Sequence, residues 1–351
     1  MLKNFLVKLK ITIKRFIGKV VYSYTYLKNY FMIFIKKQKS KSPSPSAFIK
    51  SIIKKWKTSL TIFISIISIY YGAGAFISSN INNSLNKELK LSHSTSQHST
   101  TSLIYVLKSQ IDDTPWTPSL PLIFPASILD NLPNFQLGTK DATHHIIKRM
   151  SALYLDPNLK TIGELLNYPS NIWLFSQGKD DKLLPGSAKQ YRKALSSLKE
   201  FSLTQNIHHP LNKNHLISLL ESIHNLLNRQ TERIKQHTTE HNQDILDNKA
   251  DDIFYYTQGV LYTTHYYLQG LTKDYQDLIV EKELYEQTTS LFKNLNSAIK
   301  LNPMIIKNSH LEDSYSSNHL IYLAFYISEA KNILLNLIHT LKETTPKDVL
   351  P

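Results

Sequence analysis

The 351-residue chain has no cysteine, only nine glycines, and no acidic residue before Glu88. Without cysteine the protein forms no disulfide, which fits an exported domain built without disulfides and fits a cytosolic protein equally well. The few glycines form no phosphate-binding loop, and neither a Walker pattern, a G-x-S-x-G motif nor a paired-cysteine metal motif is present. Disulfide scaffolds, P-loop nucleotide-binding proteins and the serine hydrolases that carry the G-x-S-x-G motif are therefore excluded.

The lack of acidic residues near the N-terminus explains the high isoelectric point. Of the 41 lysines and arginines, fifteen lie within residues 1–57, which contain no aspartate or glutamate, and the remaining 26 stand against 27 acids. The pI near 9.5 is thus a property of the N-terminal segment, and we expect no nucleic-acid partner. Basic residues crowded on one side of a membrane helix stay in the cytoplasm.

A long uncharged apolar segment, residues 60–77, follows the basic segment. It is long enough for a transmembrane helix, and it begins too far into the chain for a cleaved signal peptide. We therefore expect an uncleaved signal anchor that crosses the membrane once, with the N-terminus in the cytoplasm and the C-terminal domain outside. Trp56, just before this segment, suits the headgroup interface.

Small residues recur at heptad-like spacing along the predicted transmembrane helix. They are Thr61, Ser65, Ser68, Gly72, Ala75 and Ser79. Small side chains let helix backbones approach closely, and hydroxyl groups can hydrogen-bond across such a contact. The spacing predicts a packing face for a homodimer or for another membrane protein; the alternative is that a membrane span simply tolerates these residues.

The predicted domain organisation follows the charge and composition. Residues 1–39 are a basic, amphipathic cytoplasmic segment expected to lie on the anionic inner leaflet of the lipid bilayer, or else a weakly ordered basic tail. Whether residues 20–35 enter the membrane stays open, because Lys28 interrupts their apolar run. The later parts are a Ser/Pro linker and juxtamembrane segment (40–57), the transmembrane helix (58–79), a helical domain (80–345) and a tail (346–351).

The C-terminal domain has helical rather than strand-like patterning. Apolar residues recur at helical spacing in most of it, so we predict an all-α fold: a single N-terminal transmembrane helix followed by an extracytoplasmic domain of about seven helices. Five prolines between Thr114 and Pro133 exclude a continuous helix there and indicate an ordered loop. Ser187 and Gln190 have capping-box spacing at a helix start.

The proline-rich loop also holds the candidate binding residues. Polar side chains stand among apolar anchors there, and a histidine near the C-terminus joins them as a surface for a partner or ligand. The set is Trp116, Asp130, Asn131, Gln136 and His319. The alternative is that the asparagine and aspartate side chains make local turn hydrogen bonds with the backbone.

Three pairs of histidines are the candidates for a metal site in this sequence. His237 and His241 have the H-x-x-E-H spacing that places two imidazoles on one helix face, but their neighbours are polar on every side. The adjacent pairs 144–145 and 208–209 point about 100° apart on a helix and cannot chelate together. We therefore predict no metal, cofactor or catalytic residue.

Three stretches resemble a bacterial family. These are LDNLPNFQLG with its proline-rich lead (residues 116–138), LPGSAKQYRKAL (184–195), and DDIFYYTQG (251–259) with the SNHL of residues 317–320 and a closing helix. Over roughly residues 60–342 the chain resembles the domain-of-unknown-function 2333 family of bacterial inner-membrane proteins, which implies a Gram-negative inner membrane and a periplasmic C-terminal domain. Gln258 stands where that family's pattern has an arginine.

The sequence favours an uncharacterised single-pass inner-membrane protein that acts as a scaffold or adaptor for cell-envelope components. The alternative is an envelope-acting enzyme with its site near the loop at residues 116–138. Convergence of Asp130, Asn131, Gln136 and His319 into one cluster would favour the enzyme, and their dispersal as turn caps would favour the scaffold.

Overall fold

A computed structural model of the chain describes residues 45–78, 81, 83, 85, 97–121, 123–127, 130–177, 183–208, 211–240, 248–303, 306 and 318–343. The chain divides into two units, residues 1–69 and residues 70–351. The predicted basic segment, residues 1–39, lies outside the described residues, and so does most of the stretch between residues 79 and 96.

The described residues form ten α-helices, one turn of 3₁₀-helix and one short hairpin, so the all-α prediction is confirmed. The helices are α1 (Pro45–Ser78), α2 (His98–Ile111), α3 (Asn131–Tyr154), α4 (Pro157–Leu166), α5 (Ser187–His208), α6 (Lys213–Glu240), α7 (Asn248–Asp274), α8 (Gln276–Glu281), α9 (Tyr285–Lys300) and α10 (His319–Lys342). The 3₁₀ turn is Pro125–Ser127, and β1 (Phe175–Gln177) pairs antiparallel with β2 (Leu183–Pro185).

The described part of the first unit is the larger part of α1. All side chains from Thr58 to Ile69 are exposed, and the large apolar ones range from 38% exposed at Ile67 to 69% at Ile69. An uncharged run without proline favours an unbroken helix. The helix predicted for this segment is present, and its crossing of a membrane remains a prediction.

The second unit is built around the crossing of α3 and α7. α2 and α9 also pack on α7, α10 packs on α6 and α9, and α5 bridges α2 and α4. One main cluster of buried apolar side chains runs through these helices. Their burial follows the helical spacing of the apolar residues, which gives each helix one face toward this core.

Among the described residues, α10 is long and apolar enough to cross a membrane by length and composition alone. A shorter apolar stretch, Thr58–Gly74, lies within α1. The apolar character of α10 has a local explanation, because one of its faces fills the core between α6 and α9. The buried residues of that face are Leu320, Leu323, Ile327, Ala330, Leu334, Leu337, Ile338 and Leu341.

Two glycines let α3 and α7 touch backbone to backbone. A Cβ atom on Gly138 would lie 1.9 Å from the carbonyl oxygen of Tyr256, and one on Gly259 would lie 2.1 Å from that of Phe135. The hydroxyl of Thr139 donates to the Gly259 carbonyl at 3.4 Å across the same contact. The crossing therefore joins the predicted LDNLPNFQLG and DDIFYYTQG stretches, because each contributes one of the two glycines.

The start of α2 is capped from the end of α7. Asp274 accepts hydrogen bonds from the backbone N–H groups of His98 (2.6 Å) and Ser99 (2.9 Å). These are orphan donors of the first helical turn, and a carboxylate at a helix N-terminus also interacts favourably with the helix dipole. Burial raises the pKa of Asp274, and the hydrogen bonds from Ser99 and His98 oppose that rise.

Several helix boundaries differ from those that the sequence patterns predict. The sequence pattern predicts a helix from Ala142 to Leu155, but α3 begins at Asn131, because Pro133 sits in the first turn, where a missing N–H costs nothing. The pattern also predicts one helix from Tyr275 to Leu301, but the structure has two helices there, α8 and α9, separated by a turn in which Glu283 has a φ of 55°. α4 and the hairpin were not predicted.

The capping box predicted at Ser187 is also wrong. The Ser187 hydroxyl accepts from the N–H of Ile172 at 2.9 Å and donates to the carbonyl of Pro169 at 2.7 Å. It therefore ties the start of α5 to the segment before the hairpin rather than to its own first turn.

Candidate functional site

The proline-rich loop is held to the domain by Gln136. This fully buried side chain accepts from the N–H (2.9 Å) and hydroxyl (2.6 Å) of Thr117, and it donates to the carbonyls of Gln110 (3.0 Å) and Pro115 (2.9 Å). All four hydrogen-bonding positions of the amide are thus used within the protein. Gln136 acts as a latch for the chain that follows α2.

Trp116 lies next to this latch and is likewise inside the protein. Its side chain is 3% exposed, its indole N–H donates to the carbonyl of Ser170 at 2.9 Å, and its ring meets Tyr191 edge-on at 4.8 Å. The stretches 116–138 and 184–195 therefore meet through these two aromatic rings. Two of the five predicted surface residues, Trp116 and Gln136, are structural anchors of the loop.

The outer part of the loop contacts the C-terminal turns of α1 within the second unit. The hydroxyl of Tyr70 donates to the carbonyl of Ile123 at 3.1 Å. A Cβ atom on Gly74 would lie 1.9 Å from the Cβ atom of Pro125, so only a glycine permits this approach. The 3₁₀ turn thus lies directly against α1.

An apolar surface, which we call the apolar collar, begins at this part of the loop. Phe124 of the loop meets Trp173 edge-on at 5.4 Å, and the hairpin that follows Trp173 exposes further large apolar side chains. The collar consists of Ile123, Phe124, Trp173, Leu174, Phe175 and Leu183. All of these except the half-buried Phe124 are exposed, and Phe175 and Leu183 are 66% and 70% exposed.

Asp130 and Asn131 lie with acidic residues at the start of α7. The amide of Asn134 donates to Asp252 at 2.6 Å. When the oxygen and nitrogen of the Asn131 amide are exchanged so that each faces a suitable partner, the nitrogen donates to Asp251 at 2.7 Å and to Asp130 at 3.3 Å. This cluster joins the N-terminal turns of α3 and α7.

Burial raises the pKa of Asp251 to about 6, and the neighbouring charges of Asp130 and Asp252 raise it further. Well below the ordinary pKa of 3.8 the carboxyl is protonated in the folded and unfolded protein alike. As the pH rises through 3.8 toward 6, the unfolded chain releases this proton before the folded protein does, so folding loses stability until the folded carboxyl also ionises. The carboxyl therefore stabilises the fold least at neutral pH.

Asp251→Asn should accordingly raise the free energy of unfolding at pH 7.5 and leave it nearly unchanged at pH 4. Solvent screens this half-exposed carboxyl, so we expect a gain of about 1 kcal/mol, measured by urea denaturation at both pH values. Asp277→Asn, at an exposed carboxyl in the first turn of α8, is the control. An equal change at both pH values would contradict the role of the carboxyl.

The remaining predicted site residues are His319 and the small-residue face of α1. His319 is the first residue of α10 and is half-buried behind Asn318, whose side chain caps that helix through the N–H of Ile321. On the predicted membrane face, the Ser65 hydroxyl donates to the carbonyl of Thr61 at 2.8 Å, and a Cβ atom on Gly72 would meet no atom within 4 Å. Ser68 is exposed; the side chains of Ala75 and Ser79 lie outside the described residues.

His237 differs from its predicted setting. The stretch is not polar on every side, because this side chain is only 7% exposed on the inner face of α6, while His241 lies outside the described residues. Within the described residues, no group of three or more histidine, aspartate and glutamate side chains is placed to hold a metal ion.

A basic pocket of about 400 Å³ opens between α3, α6 and α7. It is lined by Asp141, His144, His145, Lys148, Leu226, Arg229, Gln230, Arg233 and Tyr256. Arg229 and Arg233 stand four residues apart on α6 and so share one face, and Lys148 faces them from α3. Cationic groups therefore outnumber the single acid, Asp141, which is itself paired with Lys140 at 2.5 Å.

Hydrogen bonds fix the walls of the basic pocket. The ring nitrogens of His145 contact the Ser222 carbonyl at 3.0 Å and a terminal guanidinium nitrogen (Nη2) of Arg229 at 2.9 Å. The guanidinium of Arg233 lies 4.5 Å from the centre of the Tyr256 ring, whose hydroxyl donates to Asp141 at 2.9 Å. Burial lowers the pKa of both His144 and His145, so at neutral pH the charge of the pocket comes from lysine and arginine.

Sequence reasoning missed the basic pocket. Its residues come from three helices and are spread from position 141 to position 256, so no local motif contains them. The one local signal was the pair of arginines at positions 229 and 233, which helical spacing places on one face.

The comparisons with known proteins bear on the C-terminal part of the chain. The model of a family described as uncharacterized protein conserved in bacteria, domain of unknown function 2333, matches residues 202–344. No curated protein and no solved structure matches the chain. The two stretches of the resemblance that precede residue 202 lie outside the matched range. The resemblance is confirmed within it: residues 202–344 match the domain-of-unknown-function 2333 family, an uncharacterised family of bacterial proteins.

Proposed function

We propose that this protein is an adaptor of the bacterial cell envelope, anchored in the inner membrane by α1, with its helical domain on the periplasmic side. The observation that carries the anchor is the exposure of every side chain from Thr58 to Ile69. This run has no charge, and it directly follows a segment, residues 1–57, that contains fifteen basic residues and no acidic one. A lipid bilayer is the environment that suits such a helix, and the basic segment favours a cytoplasmic N-terminus.

The exposed apolar side chains of the collar are a second observation in favour of the membrane anchor. The predicted span, residues 58–79, includes Tyr70 and Gly74, which contact Ile123 and Pro125. Residues in contact with a membrane span lie at the depth of the membrane or its interface, where exposed apolar and tryptophan side chains are favourable. The collar would therefore rest at the outer face of the membrane.

The hydrogen bonds of the loop favour an adaptor over an enzyme. The side-chain amide of Gln136 makes all its hydrogen bonds with the loop and the end of α2, whereas the amide of Asn131 donates to Asp251 at the start of α7. These contacts join helices and loop segments to each other, as structural polar groups do. The partner of the adaptor could be a second copy of the chain or another membrane protein that packs on the small-residue face of α1.

Single cysteines test the anchor, because the native chain contains none. We expect a membrane-impermeant maleimide, added to cells with a permeabilised outer membrane, to label Leu203→Cys but not Ser40→Cys. Phe175→Cys should resist labelling until detergent is added, although Phe175 (66% exposed) and Leu203 (67% exposed) are equally open in the protein itself. The bilayer alone would then account for the difference.

The outcomes separate the two parts of this proposal. Labelling of Ser40→Cys together with protection of Leu203→Cys would reverse the orientation and overturn the periplasmic placement. Equal labelling of Phe175→Cys and Leu203→Cys before detergent would contradict the contact of the collar with the membrane. The orientation would still be decided by Ser40→Cys and Leu203→Cys.

A further inference from the structure

The basic pocket between α3, α6 and α7 has the features of a site for an anion. Lys148, Arg229 and Arg233 line it, and the one acid in its lining, Asp141, already pairs with Lys140 and accepts from Tyr256. An anion that entered would meet cationic side chains from two helices with little opposing charge. Nothing in the proposed membrane role uses this pocket.

The two arginines are held in place but keep most of their donors. A guanidinium has five N–H donors in a planar fork. The contact with His145 occupies one nitrogen of Arg229, and Arg233 lies over the face of Tyr256, which takes no N–H donor in the plane of the fork. Such bracing lowers the entropy that is lost when an anion is bound.

Gln230 gives an independent indication of a ligand. This side chain lines the pocket and is only 5% exposed, yet its Oε1 atom has no hydrogen-bond partner among the described residues. A buried amide oxygen without a partner is costly. A ligand that carries a hydroxyl group or a protonated oxygen would satisfy it.

We propose that the basic pocket binds a phosphate-bearing small molecule, with Arg229, Arg233 and Lys148 around the phosphate oxygens and Gln230 on a hydroxyl group. Three cationic side chains suit a phosphomonoester, which carries nearly two negative charges and three strong acceptor oxygens at neutral pH. A volume of about 400 Å³ admits the phosphate together with a small organic group.

The test is a titration of the purified full-length protein in detergent, followed by the ³¹P resonance of inorganic phosphate at constant ionic strength. Saturable line broadening is expected for the native protein. Arg229→Gln with Arg233→Gln should weaken binding by at least about tenfold, because each hydrogen bond to a charged group is worth about one such factor. Lys199→Gln with Lys235→Gln removes two exposed charges outside the pocket and should change binding by less than about twofold.

A second variant guards against misfolding of the arginine pair. Lys148→Gln alters an exposed residue of the pocket rim and should weaken phosphate binding several-fold. A parallel titration with dihexanoyl phosphatidic acid, a short-chain lipid with the same phosphate chemistry, identifies the source: tighter binding than inorganic phosphate indicates a lipid headgroup, and equal binding indicates a soluble phosphate. Absence of saturable broadening, or binding that survives both pocket variants, would overturn the proposal.

Discussion

Gly259→Ala should destabilise the helical domain by about 3 kcal/mol or more. The new methyl group would lie 2.1 Å from the carbonyl oxygen of Phe135 and 2.9 Å from the amide nitrogen of Thr139, and both are backbone atoms that no side-chain rotation can remove. α3 and α7 would have to separate along their whole contact. Overpacking of a close-packed interior usually costs about 1–3 kcal/mol, and a clash between two backbones belongs at the upper end or beyond.

Gly163→Ala is the matched control, since it makes the same change within a helix. A Cβ atom there would meet only a methyl group of Ile147, at 3.9 Å, which is an ordinary contact. The better helix propensity of alanine should leave this variant as stable as the native protein or more stable by about 0.5–1 kcal/mol. Denaturant midpoints by circular dichroism separate the two variants, and similar midpoints would show that α3 and α7 do not cross at Gly259.

Gln136→Leu should cost about 3–5 kcal/mol and loosen the loop that follows α2. The leucine fills a similar volume but leaves the N–H and hydroxyl of Thr117 and the carbonyls of Gln110 and Pro115 without their partner. Each buried polar group that loses its hydrogen bond costs about 1–3 kcal/mol, and the two ends of the loop relax to recover part of this.

Gln236→Leu is the corresponding control at an exposed position of α6, where the amide donates to Glu240 at 2.9 Å. Its effect should stay within about 0.5 kcal/mol. Limited proteolysis adds a readout that stability alone does not give, because Gln136→Leu should expose the loop around Thr117 to cleavage before the domain unfolds. Simultaneous loss of protease resistance throughout the domain would contradict a local latch.

Much of this fold could be predicted from the sequence where one helix face is apolar over several turns. The patterns over α5, α6 and α10 are of this kind, and their buried residues are the ones that the spacing selects. The ten-residue α4 also buries one apolar face, with Leu159, Ile162 and Leu166 at helical spacing, but it is too short for the pattern to repeat over several turns. Asp156 and Pro157 carried its start signal: the Asp156 side chain caps the N–H groups of Asn158 and Leu159.

The other misses have tertiary causes. The hairpin has three residues in each strand, too few for alternation to appear in the sequence. The break between α8 and α9 depends on a left-handed residue, Glu283, at a position where glycine would have signalled it. The departure at Gln258 also has a tertiary explanation. Its amide donates to the carbonyls of Ile299 and Leu301 at the end of α9, and an arginine at this position would also have N–H donors for them.

The candidate sites were less predictable than the helices. Trp116 and Gln136 were singled out because polar and aromatic residues stood together in a loop, yet the fold turns both of them inward. His144 and His145 were set aside as metal ligands because neighbours on a helix diverge, yet both line the basic pocket, where His145 braces Arg229. A pocket assembled from three helices becomes visible only once their packing is known.

The cap that Asp274 places on α2 also sets an order of events during synthesis. The two partners of this cap lie 176 residues apart, so a growing chain makes α2 long before the carboxylate that completes its first turn. At about 5–20 residues per second, the ribosome needs roughly ten seconds or more to bridge that distance. The first turn of α2 therefore keeps two N–H groups without this acceptor until the end of α7 has been made, and the cap is completed late in synthesis.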